Sequence, residues 1–421
     1  MMSISSPLKE QYLWNMAGTL ASTLISIVLL FVVTRVGDSG QSDLFGIAYT
    51  ISQQLIIIGL FGVRPYQSTD VREEHSFSVY CRARFITIVA MLFVLLLYLL
   101  LSDFAMEKNL VIAFLTFYRA VEAFSDVFQG FFQQHHRSDL AGKIAFFRSV
   151  FSIALFIGVL LGTHSMVWAS LALFSGNLFL IVLLDWRFFN HYLGVKKVQK
   201  KIDCEFRSAV QVLRACFPLF LNVFLLNAIF SEQKFVIDRL QESGAGFEGM
   251  QRDFTILFMP TFVLNLLLLV LRPWLTQLSV YWAERKMTLF YGQIKRVCLL
   301  LLGLESLVLF AGYVFGLPIL GWVYQLDLLD YQLSFMILLV GGGFNLFAAL
   351  IDNIMTIYRK QLYLLLSNGL TFLLSKYLTT HLVEQHAILG AALSFLCSML
   401  VYFVTSLLIY LFIRSERLSK K

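Results

Sequence analysis

Apolar runs of similar length recur from one end of the chain to the other, separated by short polar breaks. Windows long enough to cross about 30 Å of hydrocarbon as a helix fall near 11–35, 43–63, 84–101, 110–133, 145–161 and 165–185, then near 212–233, 253–271, 297–316, 332–356, 361–379 and 386–413. The pattern predicts about twelve transmembrane helices, six in each half. The fourth and seventh windows are the least apolar and are expected to face the bundle interior. A basic stretch through Lys196, Lys197, Lys200 and Lys201 separates the halves. The predicted organisation is an N-terminal lobe over 1–185, a linker over 186–211 and a C-terminal lobe over 212–421.

A short repeat supports this division. The second window ends in Val63-Arg64-Pro65-Tyr66-Gln67 and the eighth, its counterpart, in Leu271-Arg272-Pro273-Trp274. The fourth leaves through Gln133 to Arg137, and the tenth through Tyr358-Arg359-Lys360-Gln361. Both halves start on the same side, so the expected fold is an all-α integral membrane protein of two six-helix lobes related by a parallel pseudo-two-fold.

Composition agrees. Of 421 residues 58% are hydrophobic and 14% charged, where soluble domains carry roughly 25% charge, and the mean hydropathy is +0.76. A soluble fold could not hide that much apolar surface. The net charge of +7 raises the question of nucleic acid, but the cations flank apolar runs without forming one basic face, and no nucleic-acid partner is expected. They fit the rule that Lys and Arg gather on the cytoplasmic side. With both termini inside, the cytoplasmic set includes Lys9, then Arg64, Arg72, Arg82 and Arg84, then Arg137, Lys143 and Arg148, the dense group from Arg187 to Arg214, and the tail from Arg414. The linker cations would serve as topological anchors and could touch anionic lipid headgroups. The first apolar run exceeds a signal h-region and is read as a retained span. Five scattered cysteines without a CxxC pair suggest neither a disulfide framework nor a metal site.

Candidate chemistry concentrates in the fourth span. Arg119, Glu122, Asp126, Gln129 and Gln133 fall within roughly an 80° arc, opposite Ala120, Val121, Phe124, Val127, Phe128 and Phe131. The aromatic face is expected to meet lipid and the charged stripe to meet protein or water. Arg119 either pairs with Glu122 or Asp126 to neutralise the stripe, or lines a polar pathway; intramembrane charge is usually functional, which favours the second. The seventh span offers Asn222, Asn227, Ser231, Glu232 and Lys234, followed by Asp238 and Arg239. Glu305, Asp352 and Asn353 are further embedded polar positions; their carboxylates could carry H+ or Na+, or satisfy a neighbouring helix. No GxxxxGK[ST] loop, GxSxG elbow or HExxH helix occurs, so neither nucleotide hydrolysis by that route nor hydrolase chemistry is expected, and no cofactor is implied.

The Gly62-Val63-Arg64-Pro65-Tyr66-Gln67-Ser68-Thr69-Asp70 turn, Pro218 at the opening of the seventh span, the Lys234-Phe235-Val236-Ile237-Asp238 core, Phe258-Met259-Pro260 and Arg272-Pro273-Trp274-Leu275-Thr276-Gln277 resemble the polysaccharide flippases of the multidrug/oligosaccharidyl-lipid/polysaccharide exporter superfamily. The nearest look is to Wzx-like and teichoic-acid-type members. The resemblance implies a monomeric, non-enzymatic protein of the bacterial cytoplasmic membrane. It would move an undecaprenyl-diphosphate-linked oligosaccharide to the outer leaflet by alternating access. Arg119, Arg64, Arg272 and Lys234 would then hold the diphosphate and Gln129, Asn222 and Asn227 the sugar, with Glu122, Asp126, Glu305 and Asp352 orienting or coupling to an ion. A cation-coupled multidrug exporter of the same superfamily would need more embedded acid to bind cationic cargo. A polymerase or ligase of lipid-linked sugars would need a long outer catalytic loop, for which 234–252 is the candidate.

Overall fold

A computed structural model describes residues 8–70, 72–196, 206–270, 272–358 and 360–419. Among the described residues the protein is helical throughout, with no strand. The chain forms two compact units, Met1–Phe224 and Leu225–Lys421.

The first unit contains α1 (Leu8–Val36), α2 (Ser39–Leu60), a short α3 (Val63–Thr69), α4 (Phe77–Leu101), α5 (Met106–Gln134), α6 (Ser138–Thr163) and α7 (Met166–Leu180). A π-helical turn, Ile181–Trp186, continues α7 into α8 (Arg187–Lys196). The long α9 (Phe206–Glu242) carries Pro218 in its interior, not at its start, and its residues up to Phe224 belong to this unit. The second unit holds the rest of α9, then α10 (Met250–Val270), α11 (Arg272–Ala283), α12 (Met287–Ala311), α13 (Leu317–Tyr324), α14 (Gln332–Ile357) and α15 (Leu364–Ser419). α15 is broken at Ala387, whose φ of 49° and ψ of −125° interrupt the helix, so it supplies both of the last two expected spans.

Among the described residues nine helical stretches are long and apolar enough to cross a membrane. α5 is not one of them, because Arg119, Glu122 and Asp126 interrupt its apolar run. It lies instead at the centre of its unit, packed against α2, α3, α4, α6 and α7. The expectation that its aromatic face meets lipid is therefore overturned. Val121, Val127, Phe128 and Phe131 are all buried, and Phe128, Phe131 and Phe132 cluster with Phe77 and Phe189. A one-sided polar stripe on a helix excludes lipid from that side only, and here other helices cover the apolar side as well.

Close approach elsewhere rests on small residues. A Cβ on Gly18 of α1 would sit 2.5 Å from the Gly142 carbonyl oxygen of α6, so these two helices meet backbone to backbone. The two segments of α15 carry a hydroxyl at every fourth position, Ser367, Thr371, Ser375 and Thr379 on one and Ser394, Ser398, Tyr402 and Ser406 on the other, all buried. Ser367 Oγ and Ser406 Oγ are 3.1 Å apart. Thr371 and Ser398 bond back to the carbonyls of Ser367 and Ser394, which is how polar groups are tolerated in hydrocarbon.

Candidate functional site: a charge cluster on α5

The site begins where α2 stops. Phe61 (φ 47°) and Gly62 (φ 68°) both adopt the left-handed conformation, which ends α2 and starts α3 in a new direction. Glycine suits the second position, since a Cβ there would come within 3.1 Å of Leu219. Phe61 is held by stacking on Phe220, with centroids 4.2 Å apart and planes 12° from parallel. Ending the helix frees carbonyls. The Gly59 oxygen is taken up by Arg84 Nη1 at 2.6 Å and Thr87 Oγ1 at 2.7 Å, both from α4. Pro65 then stands in the first turn of α3, where its missing N–H costs nothing. The other Arg-Pro pair opens α11 in the same way.

These breaks aim two arginines at one carboxylate. Arg64 Nη1 of α3 lies 2.9 Å from Asp126 Oδ1, and Arg84 Nη2 of α4 lies 2.7 Å from Asp126 Oδ2. Arg64 also donates through Nε to Gln133 Oε1 and through Nη1 to Gln129 Oε1, each at 3.0 Å. Two guanidiniums thus share one carboxylate, which leaves the group one positive charge in excess. Arg84 is fully buried, whereas the Arg64 side chain is 28% exposed. The cluster therefore presents its excess charge through Arg64.

The rest of the predicted stripe divides from this group. Arg119 pairs with Glu122, not with Asp126. Its guanidinium lies over the rings of Tyr49 and Tyr118, at 4.7 and 5.1 Å from their centroids. Its side chain is only 4% exposed, and Glu122 at 30% is the open member of the pair. Arg119 is thus closed off from solvent. A third pair, Arg148 of α6 with Asp185 of the π-helical turn, is buried outright.

Just beyond α3, the Asp70 carboxylate accepts the N–H groups of Glu74 and His75 at 2.9 and 3.1 Å and the Tyr80 hydroxyl at 2.8 Å. Partial burial works to raise its pKa, but these bonds outweigh it and hold the carboxyl below its ordinary value. The Asp70 carbonyl accepts from Gln134 Nε2 at 2.7 Å, which ties the α3–α4 turn to the end of α5.

The structure thus brings Arg64, Asp126 and Gln129 together and sets Arg119 and Glu122 apart as a second pair. Asn222 and Asn227 are half-buried on α9, on opposite sides of the division between the units. Lys234 is buried, 5.6 Å from the centre of the Phe258 ring. Glu232, two residues earlier and also buried, is held by Lys376 Nζ at 2.6 Å. Glu305 is buried against Gly343 of α14, and Asp352 accepts a hydrogen bond from the Tyr402 hydroxyl. The side chain of Arg272 lies outside the described residues, as do Lys197, Lys200 and Lys201 of the basic stretch. Among the described residues no group of three or more His, Cys, Asp or Glu side chains is placed to hold a metal ion.

Sequence reasoning missed Arg84, Arg148 and Asp185. It placed Arg84, Arg137 and Arg148 in loops; Arg137 does stand in the α5–α6 loop, buried against Asp139, whereas Arg84 and Arg148 are buried within helices. α4 begins at Phe77, seven residues before the expected span, so Arg84 stands within a helix. The available signal was an acid inside an apolar run, Asp185 at the end of the sixth span, which demands a cation nearby.

Residues 8–279 match the family model described as polysaccharide biosynthesis protein. No curated protein sequence matches the chain. Among solved structures it is similar to a multidrug resistance MATE family transporter of the MOP superfamily in an inward-facing conformation, with TM-score 0.66, 13% identity and coverage of 97% of this chain and 99% of that one. It is similar also to a mutant of the Vibrio cholerae MATE transporter VcmN, with TM-score 0.64, 13% identity and coverage of 98% and 97%. A MOP superfamily transporter from Pyrococcus furiosus, whose structure is described as having a binding pocket of reverse polarity, superposes with TM-score 0.61, 13% identity and coverage of 96% and 95%. The chain belongs to the polysaccharide biosynthesis protein family, and it is a multi-pass membrane protein with the two-lobed helical fold of the MOP superfamily transporters.

Proposed function

We propose that this protein is a flippase that carries an undecaprenyl-diphosphate-linked oligosaccharide, a precursor of cell wall, capsule or teichoic acid, from the inner to the outer leaflet of a bacterial cytoplasmic membrane by alternating access. It acts as a monomer with both termini in the cytoplasm. The observation that carries this reading is the excess positive charge at Asp126, presented through half-exposed Arg64. A diphosphate entering a desolvated protein needs a fixed cation, and guanidinium offers a planar fork to its oxygens. A cationic drug would be repelled by the same group.

In this scheme Arg64 holds the diphosphate, with Arg272 and Lys234 as further candidate cations. Gln129, Asn222 and Asn227 supply amides for the sugar. Arg119 supports the pathway from behind its tyrosines, while Glu122, Asp126, Glu305 and Asp352 orient these cations or couple movement to H+ or Na+.

The test is flipping of a fluorescent polyprenyl-diphosphate sugar by purified protein in liposomes. Arg64→Ala should lower the rate at least about tenfold, a loss of about 1.4 kcal/mol or more, while Arg64→Lys keeps part of it because charge persists without the fork. A wild-type rate in Arg64→Ala would remove Arg64 from the site. Wild-type protein that leaves this lipid in place but exports ethidium would replace the flippase reading with drug export.

A further inference from the structure

The buried pair Arg148–Asp185 lies away from Arg64, and a buried ion pair contributes little stability over apolar packing. Its connections give it another role. Ser125 Oγ donates to Asp185 Oδ1 at 2.6 Å. Gln129 Nε2 lies 3.4 Å from the same Ser125 oxygen, and Gln129 Oε1 accepts from Arg64 Nη1 at 3.0 Å. These bonds run from α6 through the π-helical turn and α5 to α3, and their direction is forced. An ionised carboxylate only accepts, so Ser125 must give its single proton to Asp185. Its oxygen can then only accept from Gln129, which turns the amide nitrogen toward Ser125 and the carbonyl toward Arg64. Reversing any link would face the Gln129 NH2 against a guanidinium. Arg148 and Arg64, which can only donate, fix the polarity at the two ends of the chain.

We propose that Ser125, together with the Arg148–Asp185 pair, is a positioning device that fixes the Gln129 amide and through it holds Arg64 in place for the anionic headgroup. The assignment of that headgroup rests on the flippase reading; the relay itself does not.

Two measurements separate them. Arg64 is half-exposed while Arg84, Arg119 and Arg148 are buried, so the rate of phenylglyoxal modification of the Arg64 peptide, followed by mass spectrometry, reports how firmly Arg64 is held. Ser125→Ala cuts the relay and leaves Arg148–Asp185 intact. It should raise the modification rate about threefold or more, with Ser125→Cys, a weak hydrogen-bonding group of similar size, in between. Adding Gln129→Leu to Ser125→Ala should change little beyond Gln129→Leu alone, since both act through one path. Unchanged Arg64 reactivity in folded Ser125→Ala would overturn the relay. In liposomes with a fluorescent polyprenyl-diphosphate sugar, Ser125→Ala should raise KM about three- to tenfold at a nearly unchanged maximal rate. Loss of thermal stability with KM unmoved would reduce Ser125 to a packing residue. If Arg64 reactivity rises as expected but wild-type protein does not move this lipid, the relay stands and the flippase reading falls.

Discussion

In the unit that ends at Phe224, carboxylates meet arginines from other elements: Asp126 meets partly exposed Arg64 and fully buried Arg84, and buried Asp185 meets buried Arg148. In the unit from Leu225 onward one buried carboxylate, Glu232, is paired with Lys376, but other buried polar groups are of another kind. Glu305 has neither oxygen hydrogen-bonded, and the amides of Gln233 and Gln251, both fully buried, have no hydrogen-bond partner among the described residues. The last two spans add a seam of hydroxyls. The ion pairs at Asp126 and Asp185 thus contrast with the unpartnered groups around Glu305. Removing one partner of a buried pair strands the other, whereas changing a group without a partner strands nothing. Equal-sized substitutions in the two units should therefore fail by different amounts.

The largest effect is expected for Arg148→Met, which strands Asp185 in the interior. A loss of about 3–5 kcal/mol is the usual size for such a break, visible as a lower thermal midpoint of the protein in detergent. Adding Asp185→Asn removes the stranded charge and should recover more than half. If the double variant melts with the single one, the ion pair is not what the first unit depends on, and the contrast between the units collapses.

A middle-sized effect sharpens the other side of the comparison. A Cβ on Gly343 would sit 2.5 Å from Glu305 Oε1 and 2.7 Å from its Cδ. Gly343→Ala should therefore cost about 1–3 kcal/mol through overpacking. Glu305→Ala should relieve that cost, while Glu305→Gln, equal in shape, should melt at or above wild type, since a buried carboxyl without a partner gains nothing from its charge. A fall on Glu305→Gln as large as that on Arg148→Met would mean that Glu305 has a charged partner in the folded protein.

The same contrast explains what was legible in the sequence. Twelve apolar windows recovered the helices, because length and hydropathy are local properties that the bilayer selects. The Arg119-to-Gln133 stripe was legible as one face, since helical period is local too. Its division into Arg119–Glu122 and Asp126–Arg64–Arg84 was not, because Arg64 and Arg84 reach Asp126 from other elements, 62 and 42 residues away in sequence. Nor was the burial of Phe128 and Phe131, since an apolar face reads alike whether lipid or helix covers it. Counting cations by loop missed the pairing of Arg84 and Arg148 for a related reason: an arginine paired inside a lobe looks, in sequence, like one in a loop.

The smallest effect is expected outside the spans, at Asp70. Its carboxylate gathers two backbone N–H groups and the Tyr80 hydroxyl into the α3–α4 turn, but it is only partly covered, so solvent screens much of what those bonds are worth. Asp70→Asn keeps one acceptor oxygen and should cost about 0.5–1.5 kcal/mol at neutral pH, the size of an ordinary hydrogen bond. The pH dependence tells charge from shape. The folded-state pKa lies below the ordinary carboxylate value of 3.8, so the unfolded chain takes up the proton first on acidification. The charge-dependent stability is then fully present well above that value and is lost as pH falls through the lower folded value. Thermal midpoints of wild type and Asp70→Asn measured from pH 7 downward should accordingly stay apart at neutral pH and converge only at the acid end. A gap constant across the range would mean that the variant loses turn geometry and not carboxylate charge, and charge would then govern stability only where it is buried, around Asp126 and Asp185.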